Sequence, residues 1–365
     1  MALLFVTLAG HGHITPTLAL VEELTKRGHR VDYATGAENA QAVTAAGADW
    51  VELPALRPYA PVGGDVMAGW FRHYFAAMRA VHPVLLDRCR THRPDVICYD
   101  ATNWPARIVA RELDVPAVRC IPHLATNESY ALPVPDAAHV IADDCARFAD
   151  QCGVELDVRS TLDAPEELNL VFLPREFQPA GETFDETFEF IGPLLGRRAA
   201  EPWSPKYPDL PLLYVSLGSI MTDPEFYRAC VGAFGDGAWQ VAVNAPDTGP
   251  VPATVDVRSW FPQPAVLRRA KAFVTHAGMN STMEALYHGV PLIASPRTPE
   301  QEANADRIQE LGLGERLEDV GDLRAVVERV TSDSAVRRNL DRMRAAVHAG
   351  GGAERGADLV GGLSG

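Results

Sequence analysis

Basic side chains are in the minority. The 365-residue chain carries 33 lysines and arginines against 48 aspartates and glutamates, a formal net charge of −15. That acidic balance argues against a nucleic-acid partner, which calls for a basic face. It leaves nucleotides open, because backbone N–H groups at one local site can hold a phosphate. Cysteine is scarce as well. There are six, at positions 89, 98, 120, 145, 152 and 230, with no C-x-x-C pair and no zinc spacing. They are expected to be reduced thiols in a cytoplasmic protein. No run of about 18 apolar residues occurs, so no membrane span is expected. The amino terminus also lacks the basic residues and longer apolar stretch of a secretory signal. Its apolar run ends at Ala9 and reads as a first β-strand.

What is present is a chain long enough for two domains, with the 47% hydrophobic and 22% charged content of an ordinary globular protein. Leu3 to Ala9 is apolar but for Thr7, as a buried parallel strand should be. A Gly10-His11-Gly12-His13 loop follows, and Pro16 suits the first turn of a helix that Gly28 ends. Strands are expected at 30–34, 95–99 and 115–120, with a helix at 106–113. The alternation restarts at 212–217 and continues through strands at 240–244, 271–275 and 291–294. Alternating strands and helices imply parallel sheets covered on both faces. Five prolines between Gly192 and Pro211 mark a linker. The expected organisation is therefore a first domain at 1–192, a linker at 193–211, a second domain at 212–345 and a tail at 346–365. The tail is expected to be loosely ordered or to pack back on the first domain. Residues 57–82 read as irregular and greasy, with Tyr59, Trp70, Phe71, Tyr74 and Phe75 among prolines and glycines. Residues 120–150 look irregular too.

Gly10-His11-Gly12-His13-Ile14-Thr15 must be weighed as a dinucleotide fingerprint. That motif needs a third glycine to open its helix, and Thr15 stands there instead. His13, at the end of a strand, has the chemistry of a general base at neutral pH, or it simply caps the helix. Asp100 also ends a strand. It is either a helix N-cap or a partner that holds the His13 imidazole in one tautomer.

The most specific segment contains Trp260-Phe261-Pro262-Gln263, then His276-Ala277-Gly278-Met279-Asn280-Ser281-Thr282-Met283-Glu284, then Pro299-Glu300-Gln301. A strand ending at Thr275 and a helix opening near Ser281 would aim backbone N–H groups at an anion. Gly278 permits close approach, and His276 and Asn280 can donate to phosphate oxygens. The competing account is a capping box, Ser281-x-x-Glu284, that only satisfies the helix.

These elements together resemble the donor motif of the UDP-dependent, two-domain (GT-B) glycosyltransferases. The run from His276 to Pro291 is similar to the bacterial macrolide and flavonoid glucosyltransferase branch, as is Gly10-His11-Gly12-His13-Ile14-Thr15-Pro16. The resemblance extends from residue 3 to about 345. It implies two Rossmann-like βα domains facing across a cleft, the first binding an acceptor and the second a nucleotide sugar. It implies that His13 deprotonates the acceptor and that Asp100 orients it. Trp260, within the element that includes Phe261 and Gln263, would stack on the base. His276, Gly278, Asn280 and Ser281 would hold the pyrophosphate, with Ser219 nearby. Glu284 would take the ribose hydroxyls, and Glu300 with Gln301 the sugar. Trp70, Phe71, Tyr74 and Phe75 would line the acceptor pocket.

A single displacement is expected, with inversion at the anomeric carbon and no cofactor. The sequence has no Asp-x-Asp diphosphate clamp, so no metal is expected. Glu284 favours UDP, with glucose the default sugar. Plant members carry a tryptophan where this chain has Arg297-Thr298-Pro299, which leaves the sugar open. The alternatives are a dTDP-deoxysugar transferase of antibiotic assembly, a UDP-sugar epimerase, or a non-catalytic nucleotide-sugar-binding partner subunit. The expected partners are a nucleotide sugar and an apolar small molecule such as a macrolide or polyphenol. The protein itself would be a monomer or homodimer.

Overall fold

A computed structural model describes residues 1–8, 10–56, 66–132, 138–156, 164–218, 223–246 and 249–363. Tyr59 and Ser219 lie outside the described residues. The chain divides into two compact units. The first comprises Met1–Phe172, Glu182–Leu194 and Ala353–Gly365, and the second Leu173–Gly181 and Leu195–Gly352.

The first unit is built on seven strands: β1 (Ala2–Val6), β2 (Arg30–Thr35), β3 (Asp49–Glu52), β4 (Val96–Asp100), β5 (Ala117–Ile121), β6 (Leu168–Val171) and β7 (Phe188–Phe190). They form one parallel sheet in the order β3-β2-β1-β4-β5-β6-β7. Its helices are α1 (His11–Lys26), α2 (Ala40–Ala45), α3 (Val66–Thr91), α4 (Trp104–Leu113) and α5 (Ala138–Cys152). Leu3 and Phe5 of β1 enter one core, and Leu4 and Val6 enter the other. A strand buried on both faces can be apolar at every position, which is why β1 does not alternate.

The second unit repeats the plan with β8 (Leu212–Ser216), β9 (Gln240–Asn244), β10 (Val255–Arg258), β11 (Ala272–Thr275), β12 (Leu292–Ala294) and β13 (Gly314–Arg316). Its parallel order is β10-β9-β8-β11-β12-β13. The helices between and after these strands are α6 (Pro224–Ala233), α7 (Gln263–Leu267), α8 (Met279–His288), α9 (Pro299–Glu310), α10 (Leu323–Ser332) and α11 (Ser334–Ala349). Two Rossmann-like α/β units, the GT-B plan, are thus in place. In each sheet the chain reverses its direction of growth beside the first strand: between β1 and β4, and between β8 and β11. Ligands of open α/β sheets bind at the carboxyl ends of strands flanking such switch points.

Four expectations need correcting. Gly10 to His13 is not a loop: α1 starts at His11 behind Gly10 in extended geometry, so Pro16 lies inside the helix rather than in its first turn. The aromatic stretch is not irregular from 66 onward, because Met78, Val81 and Leu85 give α3 a buried stripe at helical spacing. Residues 138–152 likewise form α5, whose Ile141, Cys145 and Phe148 face the same core. The tail is not loosely ordered but packs back on the first unit, the other outcome expected for it: α12 (Gly352–Gly361) buries Ala357 and Val360 there. Gly356 sits where a Cβ would stand 3.1 Å from both Leu20 Cδ1 and Ile191 Cδ1.

The proline-rich segment is not a free linker either. Its residues from 195 onward belong to the second unit. Arg268 Nη1 donates to the Ala199 carbonyl at 3.0 Å, and Trp203 packs on Phe261 with ring centroids 6.3 Å apart. The segment Leu173–Gly181 joins this unit as well, through Arg307 Nε donating to the Phe177 carbonyl at 2.8 Å. None of the six cysteines forms a disulfide, and burial pushes Cys89 up to about 11 and Cys230 up to about 12, far from thiolate at neutral pH. Among the described residues no helix is long and apolar enough to cross a membrane.

Candidate active site

In the first unit the switch point brings two sequence candidates together. β1 and β4 are hydrogen-bonded neighbours, so the first turn of α1 and the end of β4 meet at one sheet edge. His13 Nδ1 lies 2.8 Å from Asp100 Oδ2. The Asp100 side chain is wholly buried, while that of His13 is 29% exposed. Oδ1 of Asp100 accepts from the Thr102 backbone N–H at 3.0 Å and from its hydroxyl at 2.5 Å. Asp100 is therefore no helix cap: α4 begins at Trp104, and its N-cap position is Asn103. Burial would raise the Asp100 carboxyl. The charge of His13 and the hydrogen bonds from His13 and Thr102 outweigh it, holding Asp100 below the usual carboxylate range. An ionised Asp100 is an acceptor only, so a neutral His13 beside it carries its proton on Nδ1 and its basic lone pair on Nε2.

The aromatic residues of α3 separate into different roles. Trp70 is 38% exposed and stacks on Tyr74, centroids 5.1 Å apart and planes 6° apart. Phe71 meets Trp70 edge-on. The Tyr74 hydroxyl donates to Thr102 Oγ1 at 2.8 Å and receives Asn103 Nδ2 at 3.3 Å. Tyr74 thus reaches Asp100 through Thr102, and burial raises its phenol well above its ordinary value. Phe75 points elsewhere. It is 3% exposed and stacked on Trp104 in the core.

In the second unit His276 follows β11. Its ring lies where a Cβ on Gly218 would stand 2.8 Å from Cε1, and one on Gly278 2.9 Å from Cε1 and nearer still to Nε2. Gly218 also has φ +83°, a second reason for glycine there. Burial lowers His276, against hydrogen bonding to the Ser216 backbone and the charge of Glu300, so the ring is neutral at neutral pH. Its Nδ1 is buried without a partner among the described residues.

Helix α8 starts at Met279. Its N-cap is Gly278, and no side chain caps it. The capping box does not form. Ser281 instead receives Gln263 Nε2 at 3.1 Å, and Glu284 Oε2 receives the same nitrogen at 2.8 Å. Trp260 is 66% exposed, an unusual setting for a large apolar side chain. Its neighbour Phe261 is 3% exposed and packs against Tyr214 and Trp203, so the motif pairs one outward ring with one anchor. Glu300 and Gln301 open α9, where Gln301 Oε1 accepts the Arg297 backbone N–H at 2.8 Å.

Four residues that contact these candidates or the turn between them carry no signal of it in the sequence motifs. Arg198 Nη1 pairs with Glu284 Oε1 at 2.9 Å, from a segment that reads as linker. Asn304, fully buried in α9, donates to the carbonyl of Ala277, which sits in the left-handed region at φ +61°. Thr102 links Asp100 to Tyr74. His123, two residues beyond β5, has its ring centroid 6.1 Å from that of His13 and donates Nδ1–H to the Leu124 carbonyl at 2.9 Å. Its place beyond β5, which neighbours β4, was the one available signal.

Residues 212–349 match the family profile described as UDP-glucoronosyl and UDP-glucosyl transferase. NDP-glycosyltransferase YjiC of Bacillus subtilis is 36% identical over 96% of this chain and 94% of that protein. Demethyllactenocin mycarosyltransferase of Streptomyces fradiae is 34% identical over 98% of this chain and 86% of that protein. The crystal structure of CalG4, the calicheamicin glycosyltransferase, superimposes with a TM-score of 0.86 at 35% identity, covering 99% of this chain and 98% of that one. Similarity of this degree over almost the whole length means that the chain belongs to the UDP-glucoronosyl and UDP-glucosyl transferase family, and is a glycosyltransferase of the macrolide and natural-product type.

Proposed function

We propose that the protein transfers a hexose, glucose from UDP-glucose, to a hydroxyl of an apolar small molecule such as a macrolide or polyphenol, with inversion. The observation that carries this reading is the 2.8 Å contact between His13 and a fully buried Asp100. Nε2 of His13 takes the hydroxyl proton as the acceptor oxygen forms its bond to the anomeric carbon. The bond from that carbon to the diphosphate oxygen breaks, and UDP departs with the electron pair. Asp100 holds the imidazole in the required tautomer and offsets the charge it gains. The exposed stack of Trp70 on Tyr74 supports an apolar acceptor beside this base.

On the donor side, the start of α8 without a side-chain cap suits the diphosphate. Trp260 is available to stack on the base, and Glu284 with Gln263 to meet the ribose. Glu300 and Gln301 are assigned to the sugar. The reaction is proposed to need no metal, because backbone N–H groups and the helix dipole meet the leaving charge.

His13→Ala is expected to lower turnover by about 10²-fold or more, the usual scale for a general base. Transfer is measured with UDP-glucose and a panel of apolar acceptors, and the rate should persist in EDTA. Near-normal transfer by the variant would remove His13 as the base. Loss in EDTA that Mg²⁺ restores would remove the metal-free scheme.

A dTDP-deoxysugar donor is the second reading. One observation favours it: Arg198 already occupies an oxygen of Glu284 that a second ribose hydroxyl would use. The Streptomyces fradiae relative, too, is named a mycarosyltransferase rather than a glucosyltransferase.

A further inference from the structure

Glu284 is 4% exposed, and both of its oxygens are engaged. Gln263 holds Oε2 and is itself fixed: its Nε2 also donates to Ser281, and its Oε1 accepts from the Tyr214 hydroxyl at 3.4 Å. Arg198 holds Oε1 from the solvent side, its own side chain 32% exposed. The short 3-10 turn that carries it, Gly196–Ala200, is tied down by Arg268 through the Ala199 carbonyl. Arg198 is therefore a placed residue.

We propose that Arg198 is a specificity-determining residue that sets how strongly the nucleotide's 2′-hydroxyl is read. The inference rests on the assignment of Glu284 to the ribose. Within the protein the carboxylate is paired with Arg198 and accepts from Gln263. An incoming hydroxyl at Oε1 then exchanges one hydrogen bond for another, with little net gain. A 2′-deoxynucleotide presents only its 3′-hydroxyl, which Oε2 can accept beside Gln263. A ribonucleotide's second hydroxyl must share or displace Arg198. The pair thus levels the two nucleotide classes and keeps deoxynucleotide donors competitive. Without Arg198, Glu284 is a buried carboxylate short of a donor. The second hydroxyl then supplies a charge-assisted hydrogen bond, worth about tenfold in affinity.

The test is calorimetric titration with UDP and dUDP, which differ only in the 2′-hydroxyl, so base and diphosphate contributions cancel. The wild-type protein, Arg198→Ala and Glu284→Ala are compared. Arg198→Ala is expected to raise the preference for UDP over dUDP by about tenfold, and Glu284→Ala to bring the two nucleotides to equal affinity. If Glu284→Ala leaves UDP binding and the preference at wild-type values, the ribose assignment falls and this inference with it. If Glu284→Ala removes the preference or weakens UDP, while Arg198→Ala leaves the ratio unchanged or lowers it, the ribose assignment stands and the role of Arg198 is overturned. Arg198→Gln, which drops the charge and shortens the reach, carries the same comparison should the alanine variant not fold.

Discussion

Asp100 is enclosed by protein and yet ionised, and that fixes how it responds to acid. Its folded pKa is lowered from an ordinary 3.8, with burial opposed by His13 and Thr102. A lowered carboxylate contributes stability that is fully present above its unfolded pKa and is lost as pH falls through the folded value. The window is therefore below pH about 4. Wild-type unfolding midpoints in urea should fall more steeply there than those of Asp100→Asn, which has no proton to take up. Parallel acid limbs in the two proteins would show that the carboxylate is not held low. Asp100→Asn should also lower turnover by about tenfold or more, because an amide does not enforce the Nδ1–H tautomer.

At the scale of an element, the turn from β11 into α8 is closely packed. Three features act together there: Ala277 at φ +61°, Asn304 on its carbonyl, and the His276 ring fitted against Gly218 and Gly278. A left-handed alanine costs on the order of 1–2 kcal/mol, and the buried Asn304 hydrogen bond helps to hold it. Gly278 has an ordinary φ of −63°, so its need for glycine is one of space. Gly278→Ala should push the His276 ring out of place and weaken UDP binding by about tenfold, the scale of one or two hydrogen bonds. The thermal midpoint should move little. Unchanged UDP affinity in calorimetry would mean that the ring position does not matter to the nucleotide.

At the scale of the whole molecule, the chain returns at its end to the unit where it began. Helix α12 completes the core beside α1, with Val360 and Ala357 buried against Leu20 and its neighbours. Burying a side chain such as valine contributes roughly 1.5–3 kcal/mol. The Arg27 to Asp358 ion pair, 2.6 Å long but solvent-exposed, adds little. Ending the chain at Gly351 should lower the midpoint of the first unit by roughly 5–10 °C in scanning calorimetry. Arg27→Ala should barely change it. A truncated protein that melts with the full chain would show that α12 rests on the surface without holding the core.

The sequence by itself determined eight of the thirteen described strands, because a parallel strand buried on both faces is apolar throughout and the pattern is local; the partly buried edge strands β3, β7, β10 and β13, and β6, gave no such pattern. It also singled out His13, Asp100 and the 260–301 elements as candidates, since residue type and spacing at strand ends suit that chemistry. Helix α3 was obscured because its aromatics lie on both its exposed and its core faces, as Trp70 and Phe75 show. Only tertiary structure decided which candidates meet. The adjacency of β1 and β4 brings together His13 and Asp100, 87 residues apart. The packing of 196–203 onto the second unit sets Arg198 on Glu284, 86 positions away, although nothing in a proline-rich stretch marks an arginine as part of a site. Asn304 was equally silent, because its partner is a backbone carbonyl and leaves no trace in side-chain pattern. Local periodicity reports which way a side chain faces relative to its own element. Contacts between distant elements depend on strand order and on how each segment packs, and a single sequence encodes those only through the fold.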